Sequence, residues 1–118
     1  MIHHIAIGTT HPSHLAAFYL KVPGSKLIKE HFYESGSIRS VWIQFGSILL
    51  MLEDGKRESP KNLVFALGIS KEAEWREFLA SITIVSRTDF TMYFQDPDGN
   101  GLGVSTYPEK FPPSLEMS

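Results

Sequence analysis

Residues 96 to 101 read Asp-Pro-Asp-Gly-Asn-Gly, and their oxygen-bearing side chains fall at the D-x-D-x-N-G spacing of a calcium-binding helix-loop-helix. That chemistry needs a bidentate Glu at loop position twelve and a helix on each side. Position twelve is Tyr107, whose phenol cannot supply two anionic oxygens. Both flanks, FTMYF and LGVSTY, have the aromatic and β-branched character of strands. Pro97 initiates turns. The segment is expected to be a tight β-turn, with Gly99 and Gly101 available for positive φ.

Imidazoles are the other groups at which chemistry could begin. His4, in HHIAIG, opens a strand, where it can serve as a metal ligand, a general base or a hydrogen-bonding pocket residue. No carboxylate to orient it is identifiable, which favours the pocket or core reading. His3 alternates to the other face, and His11 and His14 flank the first helix start and read as exposed. His31 stands in a charged strand and reads as surface. The chain has no cysteine, which removes disulfides, thiolate metal sites and a Cys nucleophile. It contains no phosphate loop, nucleophile elbow or Ser-His-Asp arrangement, and its basic residues are dispersed.

The elements that must position these groups belong to a chain of 118 residues, read as one domain able to bury its own core. Its 42% hydrophobic and 20% charged content is ordinary for a globular protein. A formal net charge of -2 supplies no basic field, so nucleic acid is not an expected partner. No stretch reaches membrane-span length, so no membrane is expected. The start, MIHHIAIG, lacks the features of a signal peptide, and the expected location is cytoplasmic.

The chain reads as one pattern used twice. HHIAIG alternates as a strand, Leu15, Phe18 and Tyr19 recur at helical spacing, and KLIKEHFYE, SIRSVWIQF and SILLMLE read as three strands. In the second half NLVFALGI is a strand, Ser70 is a candidate N-cap, and Trp75, Phe78 and Leu79 repeat the stripe. ITIVSRT, FTMYFQ and GLGVSTY then follow as strands. The unit is βαβββ, in repeats 1–54 and 60–107, with a Pro-containing tail at 108–118 that wraps the surface or is disordered. The expected class is α+β: two repeats forming a paired, curled mixed sheet with a central cleft and the helices outside.

With HIAI at residues 4–7 and YFQDPDGNGLGV at residues 93–104 in this setting, the sequence resembles the glyoxalase, bleomycin-resistance and extradiol dioxygenase superfamily, the vicinal oxygen chelate proteins. The resemblance implies a divalent metal held by the first and last strands of each half, and lyase, isomerase or dioxygenase chemistry on neighbouring substrate oxygens. Residue by residue, the ligand positions fall on His4, Leu50, Asn62 and Gly103. Leu50 has no donor, Gly103 has no side chain and Asn62 offers only an amide. Glu53, by alternation with Leu50, is expected to point to the helix side. No metal centre and no cofactor are therefore expected, His4 being the one good match. Mn, Fe, Ni, Co or Zn enters only under the alternative, enzymatic reading.

Strand parity sends Trp42, Gln44, Asn62, Thr91 and Tyr93 into the cleft with His4, Leu50 and Gly103. Such a lining suits a flat aromatic or amphipathic small molecule, though the same residues could simply fill the cleft as core. Leu49, Met51, Phe65, Phe94, Leu102 and Val104 are expected beneath the helices. Three functions stay open: a metal-free small-molecule binder, a metal-dependent enzyme, and a structural or regulatory dimer. No catalytic residue is assigned. The expected partners are a small molecule and a second copy, in a homodimer whose halves pair within or between chains.

Overall fold

Pro12 and the spacing of Leu15, Ala16 and Tyr19 decide where the first helix forms. Proline is tolerated in a helix's first turn because its missing N–H has no intrahelical partner there. Helix α1 runs Pro12–Tyr19 and buries Pro12, Leu15, Ala16 and Tyr19. Just ahead of it the Thr9 hydroxyl accepts a bond from the His11 N–H at 3.1 Å. Past its end Gly24 takes a φ of 87°, a left-handed turn that glycine adopts without steric cost. This computed structural model describes residues 3–115, and the chain divides into two units, Met1–Pro60 and Lys61–Ser118.

The first unit contains β1 (His4–Thr9), α1, β2 (Ser25–Phe32), β3 (Ile38–Phe45) and β4 (Ile48–Asp54). Its sheet has the order β1-β4-β3-β2, with β1 parallel to β4 and the other pairings antiparallel. Residues paired across strands share a face. Ile5 and Ile7 pair with Leu50 and Leu52, which pair in turn with Ile43 and Val41. Ile7, Val41, Ile43, Leu50 and Leu52 are at most 2% exposed, as are Leu15 and Tyr19 of the helix, which packs on β3 and β4. Burial of each such side chain contributes roughly 1.5–3 kcal/mol, enough to fix the register. After β4 the chain folds back, and Gly8 and Glu58 exchange two backbone bonds of 2.7 and 3.1 Å. A Cβ on Gly8 would overlap the Lys56 carbonyl oxygen.

The second unit contains β5 (Leu63–Ala66), a 3-10 turn (Ile69–Lys71), α2 (Glu72–Ala80), β6 (Ser86–Arg87), β7 (Thr91–Gln95) and β8 (Gly101–Ser105). Its sheet has the matching order β5-β8-β7-β6, with β5 parallel to β8. Glu72 and Glu74 lie in the first turn of α2, where they complement the helix dipole. The helix meets the sheet through rings: Trp75 lies 6.0 Å from Phe65 and 5.7 Å from Phe78, and Phe78 lies 5.7 Å from Phe94. Met92, Leu102 and Val104 are buried on the same face of the sheet. Each unit is thus a βαβββ module with one helix on one face of a mixed four-stranded sheet, the α+β architecture expected.

Several local expectations change. Ser70 does not cap α2 but sits in the 3-10 turn, and the cap position, Lys71, makes no side-chain cap bond. The strand expected over 82–88 shortens to Ser86–Arg87. The tail docks on its unit: Phe111 and Leu115 are buried, and the Ser114 hydroxyl donates to Glu72 Oε2 at 2.6 Å. Residues 116–118 of the tail, like residues 1 and 2 of the first repeat, lie outside the described residues. No helix among the described residues is long and apolar enough to cross a membrane.

Candidate functional site

In the first unit, the sheet face away from α1 carries His4 and Ala6 on β1, Leu49, Met51 and Glu53 on β4, and Ser40, Trp42 and Gln44 on β3. The pairing aligns His4, Leu49 and Gln44 in one row and Ala6, Met51 and Trp42 in the next. His4 and Gln44 are therefore two strands apart, about 10 Å. His4 is exposed, with its Nδ1 3.0 Å from Nδ1 of His3. Gln44 donates through Nε2 to the Gly46 carbonyl at 2.9 Å.

Four facings in β4, those of Leu49, Leu50, Met51 and Glu53, are the reverse of the sequence expectation. Leu50 lies under the helix, not on the face of His4, and Leu49 and Met51 lie on the open face. The reason is that Ile-Leu-Leu-Met-Leu is apolar at every position, so its alternation has no phase; only the pairing with β1 sets it. The same register puts Glu53 on the face of His4. Glu53 pairs with Gly8, four residues along β1, so its backbone stands about 13 Å from that of His4.

In the second unit the open face brings Thr91, Tyr93 and Gly103 together, and the expected inward set, Phe65, Phe94, Leu102 and Val104, lies on the helix side. A Cβ on Gly103 would lie 3.2 Å from Tyr93 Cδ1 and 3.4 Å from Thr91 Cγ2, so those two side chains lie across the glycine. A Cβ on Gly101 would lie 2.5 Å from Asn62 Oδ1 and 2.6 Å from the Lys61 carbonyl oxygen. Gly101 belongs to β8 and does not take positive φ; only Gly99 of this turn does, at 85°. Thr91 donates to the Ser105 hydroxyl at 2.9 Å, which donates to the Phe90 carbonyl at 3.1 Å. The turn itself is organised by Asp96. Its Oδ1 accepts from the Asp98 and Asn100 N–H groups at 2.9 Å each, and its Oδ2 accepts from Asn100 Nδ2 at 2.6 Å. The first carboxylate of the calcium-like motif thus holds the turn's own backbone.

One residue on the open face of the first unit was missed. His31 pairs with Ser40, beside a bulge in β2, and its ring lies 4.6 Å from that of Trp42. Bulges re-aim side chains. The charged neighbours Lys29 and Glu30 gave His31 the look of a surface residue. Trp42 Nε1 and His31 Nε2 are both shielded from solvent, and neither has a hydrogen-bond partner among the described residues. A shielded, unsatisfied polar group costs about 1–3 kcal/mol, so two side by side call for an explanation.

No protein-family model and no curated protein matches the chain. Solved structures match its backbone. An integron cassette protein from the mobile metagenome of V. pseudocholerae is 24% identical, over 92% of this chain and 95% of its own, with a TM-score of 0.67. The fosfomycin resistance protein FosX from Mesorhizobium loti is 14% identical over 90% of each chain, with a TM-score of 0.71. Lactoylglutathione lyase from Agrobacterium tumefaciens is 19% identical over 89% of this chain and 92% of its own, with a TM-score of 0.66. The chain has the vicinal oxygen chelate fold.

The metal that a vicinal oxygen chelate fold implies can be tested against the residues present. In the first unit His4 faces Leu49 across the parallel pairing, and correcting the register of β4 supplies only Leu49 or Met51 in place of Leu50. In the second unit Asn62 offers an amide, and Gly103 has Tyr93 and Thr91 lying over the space a ligand side chain would need. Within neither unit, among the described residues, do three His, Asp or Glu side chains come together. Neither unit alone, among the described residues, presents such a set of donors at these positions.

Proposed function

We propose that this chain is a binder of a small flat aromatic or amphipathic molecule, held on the helix-free sheet face by hydrogen bonding and ring stacking rather than by a metal. The observation that carries the reading is the His31–Trp42 pair: two rings 4.6 Å apart and tilted by 55°, whose Nε2 and Nε1 are withdrawn from water and have no hydrogen-bond partner among the described residues. An indole N–H is a donor only, and an imidazole nitrogen donates or accepts according to its tautomer. A ligand carbonyl or carboxylate that displaces the groups covering Trp42 would relieve the indole N–H, and a planar ligand would lie against the ring faces. Gln44 and His4 on the same face, and Asn62, Thr91 and Tyr93 on the open face of the second unit, supply further polar contacts under this reading. No bond-making step is required of them.

The proposal includes self-association as a homodimer, which light scattering checks, and a reducing cytoplasmic setting, with which the absence of cysteine agrees. The direct test is native mass spectrometry of protein taken from its producing cells, followed by calorimetric titration of the recovered molecule into the original chain and its variants. Trp42→Phe and His31→Leu are each expected to weaken binding at least tenfold. A recovered molecule that binds both variants as tightly as the original chain overturns the reading.

A further inference from the structure

The turn between β7 and β8 holds the one asparagine of the sequence that is followed by glycine, Asn100. Asn100 is half-buried, and the buried Asp96 holds it at two points. Asp96 Oδ1 accepts from the Asn100 N–H at 2.9 Å, and Oδ2 accepts from Asn100 Nδ2 at 2.6 Å. Bonds to a carboxylate are charge-assisted, shorter and stronger than those between neutral groups. The same Oδ1 accepts from the Asp98 N–H, and the Gly99 N–H donates to the Asp96 carbonyl, both at 2.9 Å. Position 101 requires glycine, because a Cβ there would lie 2.5 Å from Asn62 Oδ1 and 2.6 Å from the Lys61 carbonyl oxygen. That packing places after Asn100 the residue whose lack of a side chain least hinders attack by its own backbone nitrogen.

We propose that Asn100 is a self-modification site, at which the Gly101 backbone nitrogen closes on the Asn100 side chain, and that Asp96 is the positioning residue that restrains the reaction. In the first step the Gly101 nitrogen bonds to Asn100 Cγ and gives up its proton, and the side-chain nitrogen leaves with that proton as ammonia. In the second, water adds to either carbonyl of the cyclic imide and reopens the ring, leaving an aspartate or an isoaspartyl link at position 100. Water is the co-reactant, and nothing is oxidised or reduced. Ring closure requires the Asn100 side chain to swing onto Gly101. The Asp96 carboxylate opposes that rotation, because it grips both the amide nitrogen and the backbone N–H of Asn100. The product carries a carboxylate where a donor stood against Asp96 Oδ2, and two carboxylates at that range repel when both are ionised. Conversion therefore loosens the turn irreversibly, and the β7–β8 hairpin keeps a chemical record of the age of the chain.

The test is incubation of the full chain at neutral pH, with conversion of Asn100 and formation of isoaspartate followed by peptide mass mapping. Asn62, which precedes the bulky Leu63, is the internal comparison. Conversion is expected at Asn100 and not at Asn62, and at least tenfold more slowly in the folded chain than in the chain unfolded by urea. Asp96→Asn should speed conversion at least fivefold under conditions where circular dichroism shows the variant folded. Asp96→Glu, which displaces the carboxylate, carries the same expectation should Asp96→Asn fail to fold. Leu15→Ala, which loosens the core of the first unit, should leave the rate unchanged. Asn100→Asp, equivalent to the converted chain, should unfold at a lower urea concentration than the original. Equal rates in the folded and unfolded chain, a folded Asp96 variant that converts no faster, or an Asn100→Asp chain as stable as the original would each overturn the assignment.

Discussion

The two units share one topology and close their cores by different means. The strands of the first are 6 to 8 residues long, and its helix rests on an aliphatic face. The strands of the second are 2 to 5 residues long. There the deficit in sheet is made up by the series of rings from Phe65 through Trp75 and Phe78 to Phe94, and by Phe111 and Leu115 of the tail. The open faces differ in the same sense. The longer sheet leaves His31 and Trp42 unpartnered, whereas the shorter one lays Tyr93, Thr91 and Asn62 onto glycines.

The sharpest way to break this comparison is to truncate the two helix seams. Phe78→Ala removes a ring that touches both Trp75 and Phe94, and is expected to cost about 3–5 kcal/mol in denaturant unfolding. Leu15→Ala, against aliphatic neighbours, is expected to cost about 2–5 kcal/mol, and less than Phe78→Ala. Equal costs would remove the distinction between the seams. Next come the glycines. Gly8→Ala drives a methyl into the Lys56 carbonyl, which the Gly8–Glu58 bonds hold in place, and should cost about 3 kcal/mol. Gly103→Ala meets the Tyr93 ring, which can tilt, and the Met92 carbonyl oxygen, both at 3.2 Å rather than in overlap, and should cost about 1–2 kcal/mol. Reversal of that order, measured as unfolding midpoints, would show that the second unit's open face is the more rigid.

A smaller effect sharpens the contrast between the open faces. His31→Phe removes a shielded, unpartnered nitrogen while keeping a ring against Trp42, and should leave stability unchanged or raise it by up to about 1 kcal/mol. A clear loss of stability would mean that the histidine supports the fold rather than a ligand. The smallest effect concerns Tyr33, whose hydroxyl donates to Asp54 Oδ2 at 2.8 Å. That bond, more than any other influence, raises its pKa above the ordinary 10.0. A folded-state pKa above the unfolded one gives a contribution present in full below pH 10 and lost as pH climbs through the raised value. Asp54→Asn should move the Tyr33 transition down toward 10, read from its ring carbon signal during an alkaline titration.

The order of elements was legible because helical stripes and turn residues are local signals. Leu15 with Tyr19, and Trp75 with Phe78 and Leu79, mark the two helices in any context, and Asp96 and Gly99 mark their turn. Facing in the second unit was legible too, since β7 and β8 mix apolar with polar or glycine positions. In β4 it was not, because an unbroken apolar run has no phase and only its partner strand supplies one. The start of α2 shifted because a 3-10 turn takes up Ser70 before the helix begins. His31 was hidden for a related reason: its charged neighbours describe the strand's exposure, whereas its own shielding depends on Trp42, a contact made between strands.

The docked tail also orders events during synthesis. All strands of the first unit have been made once Pro60 has been added, and its helix and sheet can pair as soon as they emerge. The second carries an unfinished apolar core until Leu115 arrives, more than fifty residues later by simple count of the chain. Through that interval its bare aromatic surface is what a chaperone or a neighbouring nascent chain would meet, so errors of assembly should concentrate in the later-made module.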